Sequence, residues 1–155
     1  MIEWYKDDEL FILFSDVPFV GVRVVLPTMD ADLKRKIAKK PFINRERLLV
    51  DVKYKDKSYC FVVPKFYYWN GANIPRVFWR LIGSQSDPKF LVPSMIHDIL
   101  CENHGYIDNN RYLSSLIFKA LLKTAGINPF TRWSMFHCVD NFQKFQGWKT
   151  PQRNS

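Results

Sequence analysis

The sequence predicts an α+β fold, with N-terminal antiparallel strands and hairpins followed by a C-terminal cluster of about four helices. Two observations carry this. Short β-branched runs alternating apolar and polar residues crowd the stretch before Pro64. After Pro75 the apolar residues recur at three-and-four spacing. The two patterns follow one another without interleaving, which points to segregated layers and not to βαβ units.

In chain order, Leu10 to Phe14 and Val20 to Leu26 read as strands, broken by Asp16, Pro18 and Pro27. Asp30 to Lys40 reads as a basic helix capped by Asp30 or Asp32, with Leu33 and Ile37 on one side; a loop is the alternative, because Pro41 follows. Leu48 to Val63 is the clearest hairpin. Val50, Val52 and Tyr54 share one face, Asp51 and Lys53 the other, and the turn lies at Lys55-Asp56-Lys57. Pro75 can open a short helix through Leu81, closed by Gly83. Asp87-Pro88 starts the next, which runs to about His104 and stops at Gly105, with Pro93 expected to interrupt it. Asp108 can cap a third helix carrying Leu113, Leu116, Ile117, Ala120 and Leu121. A fourth begins near Pro129 or Thr131, with Met135, Cys138, Val139 and Phe142 on one face. The expected domain is 1–148, with 149–155 a polar tail and fraying expected from Gly147 onward.

The 155 residues suit one domain, and 47% hydrophobic with 25% charged residues argues against disorder. The net charge of +8 favours acidic or phosphate-rich partners, though it also serves solubility. It is unevenly spread: from Asn109 onward Asp140 is the only acid against seven bases, and Lys34 to Lys40 forms a second basic run. Three cysteines without CxxC spacing argue against a disulfide framework or zinc ribbon. No stretch is apolar enough for a membrane span, and the acidic start does not resemble a signal peptide. The expected location is the host cytoplasm, and the virion if the protein is assembled into particles.

Reactive side chains concentrate in Met95 to His104. On a helix His97, Cys101 and His104 share one side, and Asp98 and Glu102 form another stripe. The first three suggest a metal site, but His97 and His104 start roughly 10 Å apart along a helix, too far for one ion without help from elsewhere, such as His137. His97 and Asp98 suggest acid–base chemistry, although neighbours in a helix point about 100° apart, so each needs a partner from another segment. The plain alternative is that both are internal structural ties. No cofactor is implied, and a divalent metal enters only through His97, Cys101 and His104.

A second segment, Tyr67 to Arg76, contains Asn70-Gly71 turn chemistry and a helix cap at Asn73 before Ile74-Pro75. It reads as a strand-to-helix corner or as a ligand loop. Gly71-Ala72-Asn73-Ile74-Pro75-Arg76, then His97-Asp98-Ile99-Leu100, then Asn110-Arg111 opening a helix with Phe118, resemble domain-of-unknown-function family 1353, a family of phages and prophages. The resemblance spans roughly 46–148. It departs from the family pattern at Asn70, Asn73, Cys101 and Ser115, which stand where Asp, Ser, Tyr and Asp are usual, and it keeps His97, Asp98 and Arg111. An amide cannot act as a general base.

The resemblance implies a phage or prophage origin and no established reaction. The leading expectation is a non-catalytic or degenerate binding protein, virion- or tail-associated, meeting other phage proteins or a host macromolecule through Asn70, Gly71, Asn73, Arg76 and Arg111. One alternative is a small hydrolase centred on His97 and Asp98. Another is nucleic-acid or host-factor binding through the basic helices.

Overall fold

A computed structural model describes residues 1–70 and 88–148. The α+β architecture is present, with two antiparallel sheets in the N-terminal half and helices in the C-terminal half. The expected helix from Pro75 to Leu81 and its stop at Gly83 lie outside the described residues.

The first sheet has strand order β1-β2-β5-β6, from Ile2–Lys6, Leu10–Phe14, Leu48–Tyr54 and Lys57–Val63. The β5–β6 hairpin pairs Leu48 with Val63 through Tyr54 with Lys57. Its alternation is as expected: Val50, Val52 and Tyr54 are buried while Lys53 faces water. Lys55 takes a positive φ of 55° in the turn, and its N–H is received by the Glu9 carbonyl.

The second sheet has order β3-β4-β7, from Val20–Val22, Phe42–Asn44 and Tyr68–Trp69. Here the expected strand through Leu26 is cut to three residues: Val24, Val25 and Leu26 are exposed and outside any strand. β4 supplies a partner only for Val20 to Val22, so nothing sustains the extended run. β1, β4 and β7 were not legible as strands, because they are short and are set by pairing rather than by periodicity. Asn44, fully buried, donates through Nδ2 to the carbonyls of Val63 and Pro64 and so ties this sheet to β6.

Helix α1 (Ala31–Lys39) is capped by Asp30, whose carboxylate accepts from the Leu33 N–H at 2.7 Å, and it buries Ile37. Helix α2 (Pro88–Glu102) runs through Pro93 without a break. Pro93 is the sixth helical residue, so the helix forgoes the bond an N–H there would make to the Lys89 carbonyl, and the ring is buried in exchange. The helix stops at Glu102, not at Gly105, which sits inside a short 3-10 turn at His104–Ile107. The chain reverses at Asp108 and Asn109, both left-handed with φ of 55° and 57°, a conformation Asp and Asn tolerate. The cap of α3 (Arg111–Thr124) is therefore Asn110, which accepts from Leu113, and not Asp108. Helix α4 (Pro129–Phe145) begins at Pro129 with Asn128 as its cap.

Two apolar clusters meet at α3. Leu113, Ile117 and Leu121 join Met95, Ile96 and Leu100 of α2 over the first sheet's inner face, which presents Ile12, Phe14, Val50 and Val52. Phe118 and Leu122 join Phe90, Met135 and Val139 in a second cluster under α4. The end of the described chain is not frayed. Trp148 is 4% exposed, lies flat on His104 with ring centroids 3.8 Å apart, and donates to the Asn109 carbonyl at 3.2 Å.

Candidate functional site

Helix α2 lies between the second sheet and the α3–α4 pair, and His97 and Asp98, one residue apart, serve different sides of it. His97 turns toward α3. It is 2% exposed, with its ring 5.0 Å from that of Phe118. The Cys101 sulfur, one helical turn on, lies 3.6 Å from Nδ1 and 3.8 Å from Nε2. Burial pushes the imidazole down to about 4, with the Asp140 carboxylate pulling weakly the other way. The ring is neutral at physiological pH.

Asp98 turns toward the second sheet, where the backbone N–H of Asn70, just past β7, reaches its carboxylate. The residue is buried, and burial together with nearby Glu102 holds its carboxyl well above the usual range, against the opposing pull of Lys40 and the Asn70 N–H. Glu102 in turn stands 3.9 Å from the Lys40 ammonium at the end of α1. Beside them the Tyr67 hydroxyl is buried and leans toward Glu102, but it completes no well-formed hydrogen bond among the described residues. Burial and the two carboxylates push that phenol far up. They act likewise on Cys101, which keeps a protonated thiol where a nucleophile would need a thiolate.

The turn at Asn70 and the His97–Asp98 segment therefore meet, but through Asp98 and the Asn70 backbone. Gly71, Asn73 and Arg76 lie outside the described residues. Arg111 is engaged internally: Nε donates to Asp140 Oδ1 at 3.1 Å, and Nη1 donates to the Trp148 carbonyl at 3.1 Å. Ser115, fully buried, donates to the same Asp140 oxygen at 2.9 Å. Where the resemblance expects an acid on α3, α4 thus delivers a carboxylate from outside.

The His97, Cys101 and His104 trio is not assembled as a ligand set, since His104 is stacked on Trp148. Among the described residues no group of three His, Cys, Asp or Glu side chains is placed to hold a metal. No helix among them is long and apolar enough to cross a membrane. An open recess of about 570 Å³ lies beyond Cys101, lined by His104, Asn109, Gln143 and Trp148.

Sequence reasoning missed Asp140, Trp148, Lys40 and Tyr67. Asp140 did carry a signal, as the only acid after Asn109 among seven bases. Trp148 carried a weaker one, an aromatic stranded in a polar end. Lys40 and Tyr67 stood inside the basic run and the Tyr67–Arg76 segment, but nothing in the sequence joined them to Asp98 and Glu102, because only folding brings the end of α1 and the residue before β7 to α2.

These features define a small two-sheet α+β fold in which His97, Asp98 and Arg111 each meet internal partners. The chain belongs to the family described as protein of unknown function (DUF1353), which matches residues 46–139, more than half its length. Neither the curated proteins nor the solved structures contain a match.

Proposed function

We propose that this chain acts by binding, as a non-catalytic component of phage or prophage origin, most simply one associated with the virion or tail. One observation carries the reading: His97 and Asp98 are each consumed by internal contacts on different sides of α2, so neither orients the other. A general base needs reach to a substrate proton, and an imidazole 2% exposed against Phe118 lacks it. The order of the motifs shared with phage and prophage proteins supports the origin. Exposed aromatics support the binding role: Phe130 and Trp133, 66% and 55% exposed, stand at the start of α4, and Phe145, 88% exposed, at its end. The test is turnover. Purified protein and a His97→Gln variant are assayed on peptidoglycan, ester and phosphodiester substrates. No turnover is expected; activity that the folded variant loses would refute the reading. Mass spectrometry of purified particles then tests the virion assignment.

A second reading rests on a specific pair. Asp98, whose carboxyl burial and the neighbouring Glu102 push up, lies beside that second carboxylate with the Tyr67 hydroxyl at hand, a pairing from which an acid and a base could be drawn. In this reading the hydrolytic acid is Asp98 and the base is Glu102, with His97 a structural neighbour. Activity abolished by Glu102→Gln but retained in His97→Gln would select it.

A further inference from the structure

A second site lies on the far side of α3, away from the α2 segment, and it stands whether or not that segment is catalytic. A cleft of about 260 Å³ opens between the β1–β2 turn and the helices. One wall carries three cations: Lys119 and Lys123, four apart on α3, and Arg132 in the first turn of α4. The other wall carries Tyr5, Asp7 and Glu9. Leu10, Leu116 and Ala120 contribute apolar surface.

The charges facing each other across this gap do not meet. Among the described residues none of Lys119, Lys123, Arg132 and Glu9 has an opposite charge within ion-pair distance. Asp7 is spent on the turn: it accepts the Tyr5 hydroxyl at 2.7 Å and the N–H groups of Glu9 and Leu10 at 2.8 and 2.7 Å. Burial pushes its carboxyl up, but those bonds and the Lys123 ammonium across the gap outweigh it and hold the carboxyl below its ordinary value, while the phenol of Tyr5 rises to about 12 through burial and Asp7. Glu9 is then the free anion on that wall. Two of the cations are already placed. The Lys119 ammonium sits 5.3 Å over the Phe136 ring, and Arg132 Nη1 donates to the Ile127 carbonyl at 2.7 Å. Like charges four apart on a helix repel, and the partial relief among the described residues comes from Asp7, whose carboxylate feels Lys123 across the gap without forming an ion pair with it.

We infer that this cleft binds a small zwitterion of amino-acid or dipeptide size, its carboxylate toward Lys119, Lys123 and Arg132 and its ammonium toward Glu9. The volume falls just below the range of about 300–1,000 Å³ typical of drug-sized pockets, which suits a ligand this small. The apolar floor suits a short aliphatic side chain. A plain anion would satisfy the bases but leave Glu9 opposing it.

The experiment uses the full chain and L-alanyl-L-alanine as the probe, followed by titration calorimetry and amide chemical shifts. Saturable binding is expected, with shifts at Lys119, Lys123 and Glu9. The N-acetyl dipeptide and the dipeptide amide each remove one charge and should bind about tenfold more weakly, the scale of one charge-assisted hydrogen bond. Glu9→Gln should erase the preference for the free amine, and Lys123→Gln should weaken the preference for the free carboxylate. Both residues are exposed, so both variants should fold. Three results would overturn the assignment: no saturable binding, equal binding of the N-acetyl form, or inorganic phosphate displacing the dipeptide with equal affinity, which would make the cleft a simple anion site.

Discussion

Acidification probes the burial of His97 directly. In the folded protein the imidazole titrates near 4, against an ordinary 6.5, because burial disfavours its charged form. Between those values the unfolded chain holds a proton that the folded chain refuses. The stability this group contributes is complete above 6.5 and is lost as pH falls toward 4. Moving from about pH 7.5 to about pH 4.5 removes about 2.5 kcal/mol. That corresponds to roughly 5–10 °C in Tm for a domain of this size. Asp98 works in the opposite direction. Its folded value is raised, so its contribution is full below its unfolded value and is lost as pH rises through the folded one; acidification therefore returns stability at Asp98. The two effects are separated by comparison with His97→Gln, which carries no titratable ring there. Urea unfolding of both proteins at the two pH values gives the difference. The wild type should lose about 2.5 kcal/mol more than the variant over this interval. Parallel losses would mean that position 97 is open to protons in the folded state, and the case against His97 as a solvent-reached base would fall with it.

Three further predictions concern the ties around this segment. Trp148→Ala removes a buried ring, its stack on His104 and its hydrogen bond to Asn109, and should cost about 3 kcal/mol in chemical denaturation; an unchanged midpoint would mean the end of the chain is frayed after all. Asp140→Ala leaves Arg111 and Ser115 without their shared acceptor, with both ion-pair partners under a fifth exposed, and should cost about 2 kcal/mol. A double-mutant cycle with Arg111→Ala should then show strong coupling, and simple additivity would argue against the pair. Asp98→Asn keeps the shape of a protonated acid and can still accept from Asn70, so it should leave stability near pH 7 unchanged or raise it; a marked loss would show that Asp98 is ionised there.

Much of the fold was legible wherever a pattern repeats over a few residues. The β5–β6 hairpin, the buried stripe of α3, the Asp30 cap and the start of α4 at Pro129 all rest on periodicity or on cap chemistry within one turn. Legibility failed where a local signal competed with a partner. Pro93 reads as a break, yet burial of its ring and the loss of only one backbone bond let α2 continue. Gly105 reads as a stop, yet two left-handed residues further on make the reversal. Val24 to Leu26 read as strand, yet β4 does not reach them.

The candidate site divides along the same line. The sequence by itself determined which side chains share α2 and that His97 and Asp98 point apart, because helix geometry depends only on spacing. Only the tertiary structure decided whom each of them meets. Arg111 finds Asp140 from 29 residues away, and Trp148 finds Asn109 from 39. The backbone of Asn70 arrives at Asp98 from another layer. Such pairings depend on how sheets and helices stack, and the burial that shifts a carboxyl up or an imidazole down exists only once those layers close.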